Sequence, residues 1–446
     1  MTIANPDFLV VGAGFSGLTV ALRLVEAGKS VVVLEKDPFV GGLAADFMLE
    51  NGSNLERFYH HWFKSDTSIN NLIIDLGLSE KVREFPSKTG MYFNKRIWKL
   101  SSPTDLLKFK ALSFSSRVRL GFAILRVRQV KNWQDIEGLS IREWLEPLCG
   151  KEAYKIVWEP LITAKFSKHA EDVSAAWMWK KLVLRGGTRS RNGSESLMYI
   201  EGGFGELARV LAKRIKQLGG VIICSEEIVE IETLDDSIVE VQTSKGQTFS
   251  PIKMIFTGAP DELASLFRKE HNFNDWVMQL NSIAYLGNVC LVLVLDRSLS
   301  GTYWLNVNDP GFPFVGVIEH TNLVSKDEYG DLNVIYLSRY LDAEENDFKI
   351  SDNDYFMNSI NALKRMFPEF KDEWIIEHHI WRARNAQPIT VKNYSKVIPQ
   401  VQTPYRNLLF CSMVQIYPED RGTNYAVKKA EDLVKQIILG KIETSK

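Results

Sequence analysis

The sequence predicts an α/β fold, in which a parallel sheet of the dinucleotide-binding type is joined to a second, mixed sheet. The first observation is a strand-turn-helix-strand pattern within the first 35 residues. The second is a series of apolar runs of strand length that alternate with helical segments along the chain. The third is that the 446 residues contain no internal repeat and no low-complexity linker, which indicates interleaved domains.

The amino-terminal pattern has every part of a Rossmann-type unit. An apolar run at 8–11 leads into a glycine-rich turn and a helical pattern, and a second apolar run at 31–34 follows. In such a turn the first glycine permits the tight bend, the second lets the backbone approach a pyrophosphate, and the third brings helix and strand together. The dinucleotide contacts predicted here are Gly12, Ala13, Gly14, Phe15, Ser16 and Gly17.

An acid and a glycine pair follow this unit. Glu35 ends the second apolar run, 18 residues beyond Gly17, where a carboxylate can accept hydrogen bonds from a ribose diol. Gly41 and Gly42 come six residues later, so a loop without side chains can lie against the rest of an extended cofactor.

Together these segments resemble the opening of the flavin-dependent amine oxidase superfamily. The nearest branch contains protoporphyrinogen oxidase and phytoene desaturase, and UDP-galactopyranose mutase is a relative. The resemblance implies a non-covalent FAD, with the glycine pair beside the ribityl chain and the flavin. It also implies FAD contacts from Lys36, Leu43 and Ala44.

The resemblance extends to two later segments. A strand beginning at Ile228 corresponds to one whose backbone contacts the adenine in the superfamily. Near the carboxyl end, the superfamily has Gly-Asp after a short strand, and this chain has Cys411-Ser412 instead. The helix that follows is implied to direct its N-terminus at the flavin pyrimidine. The FAD contacts implied in this last segment are Ser412, Arg421, Gly422, Thr423 and Asn424.

The order of these segments predicts three interleaved regions. An FAD-binding domain is expected to be discontinuous, over 1–85, 198–262 and 400–446. Residues 86–197 are expected to form a helical insertion that faces a membrane or the substrate. Residues 263–399 contain several apolar runs with few helical patterns, and are expected to form the substrate-binding domain.

Composition is consistent with a large enzyme in a reducing compartment. The formal net charge of −1 gives no reason to expect a nucleic-acid partner. The four cysteines are far apart and form no C-x-x-C, which argues against a metal site or a disulfide framework. No apolar run reaches about 18 residues, and the amino-terminal run has strand length rather than signal-peptide character. We therefore expect a cytoplasmic protein; its oligomeric state is left open.

The segment 106–131 is basic and amphipathic. It has seven lysines and arginines interleaved with Leu, Phe and Ile, and it contains no acid. This pattern is typical of helices that lie on membranes, and membrane association is known for protoporphyrinogen-oxidase-like relatives. Because a basic face is more often merely solvated, peripheral membrane contact is the less favoured of two alternatives.

The candidate catalytic residues fall into three groups. His60 and His61 follow the glycine pair among aromatic residues that could perturb the pKa of an imidazole. Glu319 and His320 follow an apolar run, at the expected mouth of the cavity; on a strand they would face opposite sides. Arg384 or Arg421 could bind an anionic substrate group, and either could equally form an ion pair within a loop.

The resemblance implies an FAD-dependent oxidoreductase. It would move a hydride from a C–H bond of an apolar or sugar-linked small molecule, such as an isoprenoid or a nucleotide sugar, to flavin N5. Simple amine oxidation is disfavoured, because Asn288 stands where monoamine oxidases have a lysine. Two alternatives remain open. One is a redox-neutral mutase that binds a nucleotide-sugar diphosphate through Arg382, Arg384 and Arg421. The other is a non-catalytic flavin-bound partner protein.

Overall fold

The structure is a computed structural model that describes residues 5–100, 102–187, 195–267 and 273–442. Its strands are, in chain order, β1 (Phe8–Val11), β2 (Val31–Leu34), β3 (Asp46–Met48), β4 (Asn54–Glu56), β5 (Trp62–Phe63), β6 (Val82–Ser87), β7 (Thr89–Phe93), β8 (Arg96–Lys99), β9 (Glu195–Ile200), β10 (Val221–Ile223), β11 (Ile228–Leu234), β12 (Ser237–Thr243), β13 (Thr248–Phe249), β14 (Lys253–Phe256), β15 (Tyr285–Leu295), β16 (Trp304–Val307), β17 (Gly316–Glu319), β18 (Asn333–Leu341), β19 (Ile375–Pro388) and β20 (Leu408–Phe410).

The α-helices are α1 (Phe15–Glu26), α2 (Thr67–Asp75), α3 (Pro103–Lys108), α4 (Phe114–Val127), α5 (Gln134–Glu137), α6 (Ile141–Cys149), α7 (Lys151–Ala153), α8 (Glu159–Phe166), α9 (Ala175–Gly187), α10 (Gly203–Gln217), α11 (Pro260–Leu266), α12 (Asn274–Ser282), α13 (Asn346–Lys349), α14 (Asp352–Met366) and α15 (Thr423–Ile438). A π-helical turn at Tyr154–Trp158 joins α7 to α8.

Five parallel strands form one sheet, in the order β10-β2-β1-β14-β20. These strands come from the amino-terminal, middle and carboxyl-terminal parts of the chain. Because they all run in one direction, their carboxyl ends lie along one edge, where ligands bind in sheets of this kind. The predicted α/β class, with a sheet assembled from separated segments, is confirmed.

The central strands are apolar throughout because both faces of this sheet are covered. Val10 and Val33 contact the side that holds α1, α10 and α15, whereas Leu9 and Val32 contact the opposite core. All four side chains are fully buried. Burial of a side chain of this size contributes about 1.5–3 kcal/mol.

A mixed sheet of seven strands has the order β19-β15-β18-β17-β16-β7-β8. Its β15 is buried along nearly its whole length, with alternate side chains on opposite faces. Cys290 and Val292 belong to the core shared with the parallel sheet, whereas Val289 and Leu291 pack on the side of α14. The second sheet therefore rests on the first, and α14 covers its outer face.

Two elements differ from the expectation for their segments. Residues 89–99 form the hairpin of β7 and β8 at the edge of the mixed sheet, within the range expected to be a helical insertion. Asn94 and Lys95 form its turn with φ of 53° and 57°, which matches the twist of a tight hairpin. In the range expected to have few helices, α14 spans 15 residues.

The helices α3 to α9 surround their own apolar core. Trp177 and Trp179 of α9 are buried there. The indole N–H of Trp177 donates to Asp420 Oδ1 at 3.0 Å, so the helical region contacts the carboxyl-terminal segment. Within the described ranges, no helix combines the length and the apolar character needed to cross a membrane.

Candidate functional site

The glycine-rich turn between β1 and α1 has no room for side chains at two of its positions. A Cβ on Gly17 would lie 1.9 Å from the carbonyl oxygen of Gly12, and a Cβ on Gly12 would lie 2.5 Å from Thr257 Oγ1. Gly12 also has a φ of 101°, which L side chains rarely adopt. Glycine is therefore required here by the contact between α1 and the sheet.

The glycine pair lies directly beside this turn. The N–H of Gly41 donates to the carbonyl oxygen of Ala13 at 2.8 Å. A Cβ on Gly42 would lie 3.2 Å from the Cα of Gly14. Two segments that the sequence assigns to one cofactor are thus in contact, with backbone rather than side chains at their surface.

The carboxylate of Glu35 connects the end of β2 to the same turn. Its Oε2 accepts a hydrogen bond from the N–H of Ala13 at 2.6 Å, and its Oε1 accepts one from the N–H of Asp37 at 2.9 Å. Burial raises the pKa of Glu35, and the two backbone donors oppose that rise. The carboxylate is therefore held at the edge of the cavity, in the position predicted for a ribose contact.

A cavity of about 560 Å³ runs along the carboxyl edge of the parallel sheet. This volume falls within the range of roughly 300–1,000 Å³ that is typical of small-molecule sites. Most of the predicted FAD contacts line it, namely Gly12, Gly14, Phe15, Ser16, Glu35, Lys36, Gly41, Gly42, Leu43, Ala44, Ile228, Arg421, Gly422 and Thr423.

Two helices begin at the wall of this cavity. The N-cap residues of α1 and α15 are Gly14 and Gly422, and no side chain of the described residues caps either helix. The first donors back to these N-caps are Leu18 and Tyr425, so the N–H groups before them are available to a ligand. The positive dipole end of each helix favours negative charge at the same place.

These features fit FAD. Side chains at Gly12, Gly17 or Gly42 would fill the space beside the glycine turn. An acid stands at the ribose position, and uncapped helix N-termini lie on the wall of the same cavity. We expect α1 to hold the diphosphate and α15 to face the flavin pyrimidine. The contacts of individual residues with FAD remain predictions.

Arg57 is a cation in the cavity wall that the sequence interpretation missed. Its guanidinium carbon lies 3.8 Å from the ring centroid of Phe39 and 4.4 Å from that of Trp381. Its buried Nε has no hydrogen-bond partner. The carboxylates of Asp37 and Asp46 act on its charge, but no ion pair with Arg57 is found among the described residues. An unpaired guanidinium beside the glycine turn is suited to a phosphate oxygen.

Four predicted FAD contacts, all in the described part of the chain, do not line the cavity: Ala13, Gly17, Ser412 and Asn424. Ser412 is buried, and its N–H donates to Gln415 Oε1 at 3.1 Å. The side chain of Asn424 accepts hydrogen bonds from the N–H groups of Ser68 and Ile69, at the start of α2. Asn424 therefore joins α15 to α2.

His60 is the predicted catalytic histidine that lines the cavity. Its Nδ1 lies 2.6 Å from the carbonyl oxygen of Phe58, so Nδ1 carries the proton and Nε2 remains an acceptor. Burial lowers the pKa of His60 to about 4, and the positive charge of Arg421 acts in the same direction. His60 is therefore neutral near pH 7.

His61 lies outside the cavity wall. Its Nδ1 is 2.9 Å from the hydroxyl of Tyr303, and its ring packs edge-on against Phe63, Tyr303 and Trp304. The structure thus separates the two neighbouring histidines: one faces the cavity and the other is held between strands.

The expectation that Glu319 and His320 lie at the mouth of the cavity is wrong. Both are buried, with 2% and 1% of their surface exposed. Glu319 accepts hydrogen bonds from the N–H of Leu299 at 2.9 Å and the hydroxyl of Ser298 at 2.7 Å. His320 Nε2 lies 2.8 Å from the hydroxyl of Tyr329. The apolar run before them is a strand between two others, so its end meets a loop of the protein and not the cavity.

The three arginines proposed as a diphosphate clamp are not equivalent. Arg382 and Arg384 line the cavity, but Arg382 forms an ion pair with Asp352 and Arg384 forms one with Glu344 at 2.6 Å. No such ion pair involves the guanidinium of Arg421 among the described residues. Of the three, Arg421 is therefore the one whose guanidinium forms no ion pair within the described ranges, with the carboxylate of Asp420 nearby.

The sequence interpretation missed part of the cavity wall. Thr257 and Gly258 follow β14 directly, and the rule that ligands bind at the carboxyl ends of parallel strands could have identified them. Other wall residues come from separate elements and had no such signal: Arg57, Glu226, Glu227, Glu262, Met413 and Ile416.

Residues 15–414 match the family of flavin containing amine oxidoreductases. A 15-cis-phytoene desaturase (chloroplastic/chromoplastic) from an Oncidium hybrid cultivar is 21% identical over 432 residues, which cover 90% of this chain and 72% of that protein. A candidate protoporphyrinogen oxidase from Exiguobacterium sp. 255-15 has a similar structure, with a TM-score of 0.77, 14% identity and coverage of 98% and 99% of the two chains. Reduced UDP-galactopyranose mutase is also similar, with a TM-score of 0.75, 14% identity and 96% of each chain covered.

Proposed function

Because this chain belongs to the flavin containing amine oxidoreductase family, it is an FAD-dependent oxidoreductase, and we propose that it dehydrogenates an apolar small molecule at a C–H bond. One observation carries this proposal. A single cavity reaches from the ribose position at Glu35 to His60 and Arg421, and its wall includes Phe58 and Trp381. The aromatic surface near His60 is suited to contact a hydrocarbon.

Bound FAD supplies a hydride acceptor. A dehydrogenation that forms a double bond also releases a proton from the neighbouring carbon. The proposed acceptor of this proton is Nε2 of His60, which lines the cavity and is fixed as the unprotonated nitrogen by the bond from Nδ1 to Phe58. Its pKa of about 4 makes it a weak base. A weak base is sufficient here, because departure of the hydride makes its carbon electron-deficient, and a proton on the neighbouring carbon is then strongly acidic.

The substrate we propose is an isoprenoid. The relatives include a protein named for the desaturation of phytoene, and Phe58 and Trp381 give the cavity wall an aromatic part that such a substrate could contact. A nucleotide-sugar mutase is less well supported. It needs several cations on one diphosphate, and Arg382 and Arg384 are already in ion pairs.

The direct test is the anaerobic reduction of the flavin. The purified FAD-loaded protein is mixed with isoprenoids, porphyrinogens and nucleotide sugars, and the flavin absorption band is followed by stopped flow. We expect bleaching with an isoprenoid and none with UDP-galactose. Turnover of UDP-galactose only after dithionite reduction would instead support the mutase.

We also propose that α4 attaches the protein to an anionic membrane. Its exposed apolar stripe consists of Phe114, Val118, Phe122 and Leu125, with exposed fractions of 67%, 36%, 63% and 55%. The buried residues of this helix lie on its opposite face. Basic side chains of 106–131 flank the stripe, as in helices that lie in the headgroup region.

Vesicle flotation tests this surface. Phe114→Ser combined with Phe122→Ser is expected to weaken binding to phosphatidylserine vesicles by at least about 10-fold, because two aromatic side chains no longer enter the bilayer. The matched control is Val229→Ser with Met278→Ser, which removes two apolar side chains that are 58% and 68% exposed elsewhere. Equal binding by both double variants would contradict the proposal.

A further inference from the structure

Positive charge is concentrated at the end of the cavity where α8, α9 and the segment before α15 meet. We name this group the cationic cluster; it consists of Lys165, Lys181 and Arg421. The carboxylate of Asp420 lies among the three, and all three lower its pKa below the ordinary range, against the opposing effect of burial. Asp420 pairs with Lys181 at 2.8 Å.

Arg421 is the member of the cluster that lines the cavity. Its side chain donates to two neutral groups, the hydroxyl of Tyr340 at 2.8 Å and Gln387 Oε1 at 3.2 Å. Only its backbone N–H donates to Asp420. The guanidinium is therefore hydrogen-bonded to neutral groups, and the carboxylate of Asp420 acts on its charge without a side-chain hydrogen bond to it.

A second cation shares one of these neutral acceptors. The ammonium of Lys165 donates to Gln387 Oε1 at 3.0 Å, so one amide oxygen receives hydrogen bonds from both Lys165 and Arg421. Lys165 also lies 4.9 Å from the ring centroids of Trp177 and Tyr340. These aromatic faces stabilise the ammonium and keep it close to Arg421.

Two cations that converge on one uncharged oxygen repel each other. Asp420 offsets part of this repulsion. In a partly desolvated site the remainder is weakly screened, so an anion placed between the two cations and the cavity would be attracted to both. Arg421 lines the cavity, so an anion carried by a ligand in the cavity can reach it. The arginine can bind it through two parallel hydrogen bonds.

We propose that the cationic cluster binds an anionic oxygen group, a phosphate or a carboxylate, at one end of the substrate. The substrate is then an amphiphile: its charged end contacts Arg421, and its apolar part lies along the wall that contains Phe58 and His60. This inference rests on the proposed dehydrogenation for the identity of the site, and it adds a charged end to the apolar substrate class.

Binding to the oxidised, FAD-loaded protein tests the cluster separately from turnover. Geranylgeranyl phosphate and geranylgeraniol have the same hydrocarbon, and their Kd values are measured from the perturbation of the flavin spectrum. We expect the phosphate to bind at least about 10-fold more tightly, as is usual for a charge-assisted contact. Inorganic phosphate alone is expected to compete only at a concentration at least about 100-fold higher.

Variants then locate the contact. Arg421→Gln should reduce the preference for the phosphate to less than about threefold and leave the Kd of the alcohol unchanged, and Arg421→Lys should retain part of it. The matched control is Lys180→Gln, which removes one positive charge from the same helix as Lys181, at a residue paired with Glu419 at 3.1 Å. If Arg421→Gln does not retain FAD, the test is the ratio of the Kd values of the two ligands, measured in the wild-type protein and in Lys165→Gln.

Three results would overturn the inference. Equal Kd values for geranylgeranyl phosphate and geranylgeraniol would exclude an anionic end of the substrate. Inorganic phosphate as tight as the lipid phosphate shows a site for free anions. A lower flavin potential in Arg421→Gln, with the phosphate preference intact, shows that Arg421 acts on the flavin. If geranylgeraniol bleaches the flavin but the two ligands bind equally, the proposed dehydrogenation stands and the anion site is excluded. If the phosphate is preferred in an Arg421-dependent way but no ligand bleaches the flavin, the anion site stands and the proposed reaction is excluded.

Discussion

The two ends of the cavity are built in different ways. At the end proposed for the diphosphate, backbone forms the surface: Gly14 lies against the pair at 41–42, Gly12 lies in the same turn as Gly14, and an uncapped helix begins there. At the end proposed for the substrate, side chains form it, among them Phe58, His60 and Arg421. The first end can hold a cofactor of fixed shape, whereas the second can be altered without changing the fold.

This difference predicts how each end responds to substitution. A backbone surface fails when any side chain is added, because the clash is with atoms that cannot move independently. A side-chain surface loses one contact at a time, so its effects are specific to the step or ligand that the contact serves. The predictions below test this contrast in order of decreasing effect.

The largest effect is expected for Gly17→Val. The Cβ would lie 1.9 Å from the carbonyl oxygen of Gly12, so the turn and the start of α1 must move apart. We expect purified protein with no detectable FAD and a lower melting temperature, measured by the flavin absorption ratio and by circular dichroism. The control is Gly301→Ala, where a Cβ meets nothing within 4 Å. If Gly17→Val purifies with one FAD per chain, the glycine turn is not required for FAD binding.

The same contrast explains what could be predicted from the sequence. The glycine turn, the acid at 35 and the strands around them were predicted, because each depends on backbone geometry set by neighbouring residues. Gly41 and Gly42 were predicted for the same reason. The family resemblance then gave FAD, since the separated segments appear in a fixed order.

Side-chain direction could not be predicted. Asn424 stands in the expected segment, but its side chain bonds to the N–H groups of Ser68 and Ile69, a contact that only tertiary structure creates. Glu319 and His320 follow an apolar run, and nothing local shows that the run is enclosed by other strands. The hairpin at 89–99 was missed because helical patterns dominate the residues that follow it.

The next effect in size is expected for His60→Asn. The asparagine amide can still donate to the carbonyl oxygen of Phe58, as Nδ1 does, but it has no group in the place of Nε2. If His60 accepts the proton, the rate of flavin reduction should fall by about 10²–10⁴-fold, the usual contribution of a positioned base. FAD content should remain unchanged. His61→Asn, at the neighbouring histidine outside the cavity wall, serves as the matched control.

The pH profile adds an independent test of His60. Its pKa is lowered to about 4, so the neutral, accepting form is present above that pH and is lost as the pH falls through it. The wild-type reduction rate should therefore show no inflection from His60 between about pH 5.5 and 8, where an ordinary histidine would titrate near 6.5. An inflection near 6.5 that disappears in His60→Asn would contradict the buried, neutral imidazole.

The smallest effect is expected for Arg57→Gln, and it is the test most specific to the cofactor end. Most of the diphosphate surface is backbone, so one side chain should contribute only part of the affinity. Loss of a charge-assisted contact predicts about a 10-fold weaker FAD, or about 1.4 kcal/mol, measured by titrating apoprotein. Arg297→Gln is the control, because Arg297 also lies over a tryptophan, with its guanidinium carbon 4.5 Å from the ring centroid of Trp374. A loss as complete as that of Gly17→Val would mean that the cofactor end, too, depends on side chains, and the contrast between the two ends would fail.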